Sequence, residues 1–177
     1  MDLLYLGVIA LVIVVIVGWR LRGDHTDKRN ILPPHLRSAQ VLYIDDVKLN
    51  KIFRSQRFRI QGKPDAILRI TPGTTVIVEY KSRHHGIYDS DVTQLIATAI
   101  AVRETYPDVH EGYVVLGSGK YKRIDLTAST GDLFRAIEGE VIATREAKSG
   151  KPPEYIPVVH KCKKCGVRYA CARSLAN

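Results

Sequence analysis

The sequence predicts an α/β domain, a mixed sheet flanked by helices, carried behind one N-terminal transmembrane helix. Three observations predict it. Leu3 to Trp19 is an unbroken apolar run with no charge and no proline. After Pro33-Pro34, short apolar stretches follow in the order strands, helix, strand, helix, which is the pattern of a layered α/β domain. Turn residues such as Pro72-Gly73 separate these stretches at spacings suited to single elements.

The first element is the apolar run. At 1.5 Å per residue it spans roughly 26 Å, close to the ~30 Å hydrocarbon core of a bilayer. No basic residue precedes it and no small-x-small cleavage site follows it, so a removable signal peptide is not expected. Trp19 stands where an interfacial aromatic belongs, and Arg20, Arg22, Lys28 and Arg29 follow, while Asp2 is alone on the other flank. The positive-inside rule then puts the N-terminus outside and the domain in the cytoplasm. The competing reading, a buried core helix, would normally keep a polar stripe. The expected organisation is an anchor over residues 1–22, a juxtamembrane linker over 23–36, and one domain over 37–177.

Within the domain, residues 40–45 read as a strand, and 52–61 as a second in which Arg57 and Arg59 alternate with Phe58 and Ile60. Gly62-Lys63-Pro64 is a turn. Asp65 to Ile70 and Thr74 to Ser82 form a hairpin closed by Pro72-Gly73. Residues 89–106 are a helix, with Val92, Leu95, Ile96, Ala99 and Ile100 at helical spacing and Ser90 or Asp91 as cap. Residues 112–117 and 121–126 are strands, and 127–148 a second helix capped by Ser129 or Thr130. The tail beyond Pro152-Pro153 is loop-like as far as the cysteines. An apolar content of 45% with 25% charge is ordinary for a folded chain and excludes a disordered tail protein.

Chemistry concentrates on the hairpin. Glu79 and Lys81 stand at i and i+2 on one strand and so point to one face. Asp65 opens the neighbouring strand. Two carboxylates this close repel unless a cation lies between them, and hard oxygen donors suit Mg2+ or Mn2+. A lysine beside such an ion can orient the water that attacks a phosphodiester, with the ion stabilising charge on the phosphate oxygens. The plainer reading is a solvated ribbon. Against it, Glu79 directly follows Val76-Ile77-Val78, an interior type of run where a charge is costly unless used.

Gly62-Lys63-Pro64-Asp65-Ala66-Ile67, then Val78-Glu79-Tyr80-Lys81-Ser82, then Gln94-Leu95, together resemble the RecB-like branch of the PD-(D/E)XK nucleases. The resemblance is nearest to the CRISPR-associated RecB-like exonucleases with a C-terminal cysteine cluster, and runs from about residue 37 to 174. It implies that the fold is a restriction-endonuclease-like core and that Asp65 and Glu79 bind the catalytic metal. It implies further that the Tyr80 carbonyl adds a ligand, that Lys81 serves the attacking water, and that Gln94 positions substrate or water. The family often has a tyrosine four residues after the glutamine, where this chain has Thr98, and often a metal-binding histidine upstream, for which His35 is the better candidate over His25. His84 and His85 fall in a loop after Lys81, where they are either substrate contacts or plain surface residues.

Cys162-x2-Cys165-x5-Cys171 closes the chain. Three cysteines in one short stretch argue against a disulfide framework and for a shared ion or cluster in a reducing compartment. In the resembled nucleases this triplet belongs to a 4Fe-4S cluster whose fourth cysteine lies near the domain start, and no such cysteine is present. Three outcomes stay open: a Cys3His zinc site completed by His160, a cluster completed by a residue such as His35, or free thiols.

The net charge of +9 favours polyanionic partners. From Val47 to Pro64 there is no acidic residue, and Lys48, Lys51, Arg54, Arg57, Arg59 and Lys63 face a nucleic acid in this reading, with Tyr43, Phe53 and Phe58 as either stacking or core residues. A second basic stretch runs from Arg145 to Arg173, and anionic lipids are the rival partner for both. The expected function is metal-dependent hydrolysis of DNA, as single strands or duplex ends, at the cytoplasmic face of a membrane. The alternatives are a noncatalytic nucleic-acid-binding membrane protein on the same fold, and a zinc-containing membrane adaptor.

Overall fold

A computed structural model describes residues 29–46, 50–149 and 159–163. The expected membrane span at residues 3–19 lies outside them, as do Cys165 and Cys171. Among the described residues no helix is long and apolar enough to cross a membrane. The chain divides into two compact bodies, Met1–Ile137 and Glu138–Asn177.

The first body is built on a mixed five-stranded sheet. Its strands are β1 (Gln40–Ile44), β4 (Ala66–Thr71), β5 (Thr74–Lys81), β6 (Val109–Leu116) and β7 (Tyr121–Asp125), in the order β1-β4-β5-β6-β7. β5 and β6 run parallel; the other neighbouring pairs run antiparallel. Between β5 and β6 the chain crosses over through helix α1 (Asp89–Val102), as a parallel pair requires. The β4–β5 turn forms at Pro72-Gly73, where Gly73 has φ +81 and an L side chain would be strained.

Strand alternation sorts the core into two faces. On one, Val76, Val78, Tyr113 and Val115 pack with Ala66 and Leu68 under Leu32, Leu36 and Ala39. Residues 29–36 therefore are not linker alone: a one-turn 3-10 helix at Pro34–Leu36 drives Leu36, 1% exposed, into this core. On the other face lies α1. Gly112, level with Ile77, gives way to Leu95, whose side chain comes within 2.5 Å of where a Cβ would stand. Arg103, just past the end of α1, ties the helix to the sheet by donating to the carbonyls of Val109, Leu126 and Ala128.

The stretch expected as one strand over 52–61 is instead a hairpin, β2 (Phe53–Ser55) and β3 (Ile60–Gly62), with Arg57 to Arg59 in its turn. The hairpin packs on α1. Tyr43 and Phe53 meet edge to face at 5.5 Å and Phe58 stacks on Phe134 at 4.8 Å, so these aromatics serve packing. Helix α2 (Thr130–Lys148) starts with the Ser129 hydroxyl accepting the Asp132 amide. In the second body a short helix, α3 (Val159–Lys163), holds Cys162, which has no disulfide partner among the described residues. His160 lies on the same helix with its side chain outside the described set.

Candidate active site

The catalytic-type residues expected from the sequence gather at the end of β5 that meets the start of α1. The β4–β5 register pairs Ala66 with Val78, so the next pair outward is Asp65 with Glu79. Opposed residues on adjacent strands share a face, and this is the face that α1 covers. Asp65 is fixed by accepting the Tyr80 backbone N–H at 2.7 Å. Glu79 is 6% exposed.

Glu79, Lys81 and Gln94 form a closed hydrogen-bonded set. Lys81 Nζ donates to Glu79 Oε1 at 2.9 Å and to Gln94 Oε1 at 2.8 Å, and Gln94 Nε2 donates to Glu79 Oε1 at 2.6 Å. Lys81 is also 15% exposed at its side chain, open enough to meet a water or a ligand. Gln94 reaches the set because it lies one turn into α1, on the side facing β5.

Asp91 was legible in the sequence only as a cap. It is 5% exposed and joins three groups. Its carboxylate accepts the Tyr88 N–H at 2.8 Å, pairs with Arg83, and stands 3.7 Å from Lys81 Nζ. It therefore holds the helix start, the loop after β5 and the lysine together. No spacing rule links residues 81, 83 and 91; only the crossover brings them together.

The donors present fit a hard divalent cation. Burial pushes the Glu79 carboxyl above the ordinary carboxylate range, Lys81 hydrogen bonding works against that, and the negative charge of Asp65 adds to it. A cation between two such carboxylates would relieve both the desolvation and the repulsion. Asp65, Glu79 and the Tyr80 carbonyl are all oxygen donors, as Mg2+ and Mn2+ prefer. Among the described residues no group of three or more His, Cys, Asp or Glu side chains is placed to hold a metal.

His35 is not part of this arrangement. Its Nε2 is 3.0 Å from the Tyr113 hydroxyl, and Tyr113 pairs with Val78, on the face of the sheet opposite Glu79. That hydroxyl donates to Glu111, which pairs with Arg123. His84 and His85 are exposed in the loop after β5. Of the basic residues expected at a nucleic acid, Arg54, Arg57 and Arg59 are exposed on the β2–β3 hairpin, while Lys63 is ion-paired with Asp45 at 2.9 Å. A cavity of about 420 Å3 adjoins Asp65 on the β1 side, and it carries Asp45 and Asp46 as well. Three carboxylates there against Arg29 disfavour a phosphate backbone in that cavity.

Thr98 fits its surroundings in a way that bears on the family pattern. A Cβ on Gly62 would stand 2.7 Å from Thr98 Cα, so β3 lies directly against the helix there. A tyrosine at position 98 would displace the hairpin.

No curated protein matches the chain. A family model described as the PD-(D/E)XK nuclease superfamily matches residues 16–172, which takes in every element just described. With the match covering most of its length, the chain belongs to the PD-(D/E)XK nuclease superfamily.

Proposed function

We propose that this chain is a Mg2+- or Mn2+-dependent deoxyribonuclease of the RecB-like branch, hydrolysing phosphodiester bonds in DNA. The observation that carries the reading is the closed set of Glu79, Lys81 and Gln94 beside Asp65, on one face at one end of the sheet. Asp65, Glu79 and the Tyr80 carbonyl would hold the cation, which when bound would supply charge stabilisation at the phosphate. Lys81, kept in place by Glu79 and Gln94, orients the attacking water through its N–H donors. The water oxygen forms the new bond to phosphorus, the bond to the departing sugar oxygen breaks, and that oxygen gains a proton as the water loses one. Arg54, Arg57 and Arg59 take the flanking phosphates. Residues 3–19 anchor the protein in the membrane with the nuclease domain in the cytoplasm, a reading supported by the flanking charge pattern. Cys162, Cys165 and Cys171, with His160, would hold either an iron–sulfur cluster or zinc, which visible-range absorbance of anaerobically purified protein separates.

The test uses the full chain purified in detergent, with labelled single- and double-stranded DNA and either Mg2+ or Mn2+. Cutting is expected in the wild type. Glu79→Ala should retain DNA binding and lose cutting by about a thousandfold or more, the order seen when a main electrostatic contribution is removed. Binding without cutting under both ions would overturn the enzymatic reading in favour of a noncatalytic nucleic-acid-binding protein.

A further inference from the structure

Tyr88 is 59% exposed, the largest exposure of any bulky apolar side chain among the described residues. Single exposed aromatics are common on protein surfaces and need no explanation by themselves. This one differs because its backbone is tied to a buried carboxylate and a guanidinium covers its ring. Its backbone N–H donates to Asp91 Oδ2 at 2.8 Å. The Arg83 guanidinium lies over its ring, 4.8 Å from the centroid. Arg83 is fixed in turn by the Gly86 carbonyl at 2.8 Å and by Asp91. Gly86 adopts φ +76, a conformation that favours glycine, and the phenol end of the ring stands 2.9 Å from where a Cβ would be.

The same carboxylate faces the reacting centre. Asp91 Oδ1 is 3.7 Å from Lys81 Nζ, so the ring and the lysine are tied to one buried group. An aromatic side chain with few rotatable bonds, already in contact with a cation, loses little entropy on meeting a ligand. A cation behind one ring face leaves the rest of the ring for a second planar partner. Every base has a π-face, and stacking on an aromatic is indifferent to its identity.

We infer that Tyr88, backed by Arg83, forms a stacking site for an unpaired nucleobase adjoining the cleavage centre. Its ligand class rests on the nuclease reading, since a base is the planar partner that accompanies a phosphodiester. The site takes single-stranded nucleic acid, because a base inside a duplex has no free face.

The experiment uses the full chain in detergent, with Ca2+ as a hard cation, and single-stranded oligonucleotides carrying 2-aminopurine at successive positions. Quenching is expected at one or two adjacent positions. Tyr88→Ala should abolish it and weaken binding roughly tenfold. Tyr88→Trp should restore both. Tyr121→Ala should change neither, since Tyr121 is an exposed aromatic beside Tyr113 on the opposite sheet face. Replacing the quenched base with an abasic site should cost the wild type the same factor and cost Tyr88→Ala nothing more. Absence of quenching at every position, or equal abasic losses in wild type and Tyr88→Ala, overturns the stacking site. Cutting of the same oligonucleotides in Mg2+ is scored separately. Quenching without cutting sinks the nuclease reading and upholds the stacking site. Cutting with Tyr88→Ala indistinguishable from wild type in binding and quenching does the reverse.

Discussion

Glu79 is the residue where folding and function pull in opposite directions. Its carboxylate is buried beside Asp65, and burial holds its pKa above the ordinary range. With no metal, ionised Glu79 is a cost to the folded state; in the proposed metal-bound state it would be a ligand. Glu79→Gln should therefore raise the metal-free melting temperature and remove the further stabilisation that Mg2+ or Mn2+ gives the wild type. That stabilisation is about 2.7 kcal/mol at a hundredfold excess over Kd, and calorimetry with and without EDTA measures both effects. Glu111 behaves in the opposite sense. Its hydrogen bond from Arg123 first, and that from Tyr113, hold its carboxyl below the ordinary range. A depressed pKa gives stability that is present above the unfolded value of 4.5 and is lost as pH falls through the folded value. Denaturant titrations from about pH 6 to about pH 3 should show wild type more stable than Glu111→Gln at the upper end and the gap closing with acidification. Asp65, Glu79 and Lys81 were legible from type and spacing, and Gln94 only through the family resemblance. Asp91 and Arg83 were not, because their partnership with Lys81 passes through space across the loop after β5. The placement of His35 was not legible either: nothing in sequence says which sheet face a residue before β1 will cover.

At the scale of elements, the hairpin over β4 and β5 and the crossover through α1 followed from periodicity and from Pro72-Gly73. The β2–β3 hairpin was hidden for a definite reason. Its turn contains no glycine, asparagine or proline; Arg59 takes φ +51, a conformation few side-chain-bearing residues adopt, so the turn looked like continued alternation. Leu32 and Leu36 were read as linker because prolines at 33 and 34 mask a one-turn 3-10 helix. The helix α1 owes its depth to two glycines opposite it. At Gly112 a methyl group would meet Leu95 and Leu126, and at Gly62 it would meet the Thr98 backbone. Gly112→Ala and Gly62→Ala should each destabilise by about 1–3 kcal/mol, the usual range for overpacking. Guanidinium unfolding measures this, and because α1 carries Gln94, cutting should fall with it even below the melting temperature. Unchanged midpoints would mean that the helix sits further from the sheet.

At the scale of the whole molecule, the charge of +9 was visible at once, but its layout needed the fold. Acidic groups line the cavity on the β1 side of Asp65, and arginines ride the hairpin against α1. The affinity for DNA should accordingly fall steeply with salt. Replacing Arg54 and Arg57 by glutamine should flatten the log–log salt slope by about 0.7 to 0.9 for each phosphate contact removed. Filter binding or fluorescence anisotropy over a range of chloride concentrations gives the slope, and an unchanged slope would move the DNA to another surface.

The close approach of Gly62 to Thr98 makes the β2–β3 hairpin and helix α1 a single mechanical block. Arg57 at one end of that block and Gln94 on the other cannot drift apart without breaking a backbone-tight seam. If the arginines clasp a strand as proposed, it would reach the carboxylates over a set distance, and the shortest fragment able to span both would be fixed by the protein's own dimensions, as a gauge block fixes a gap.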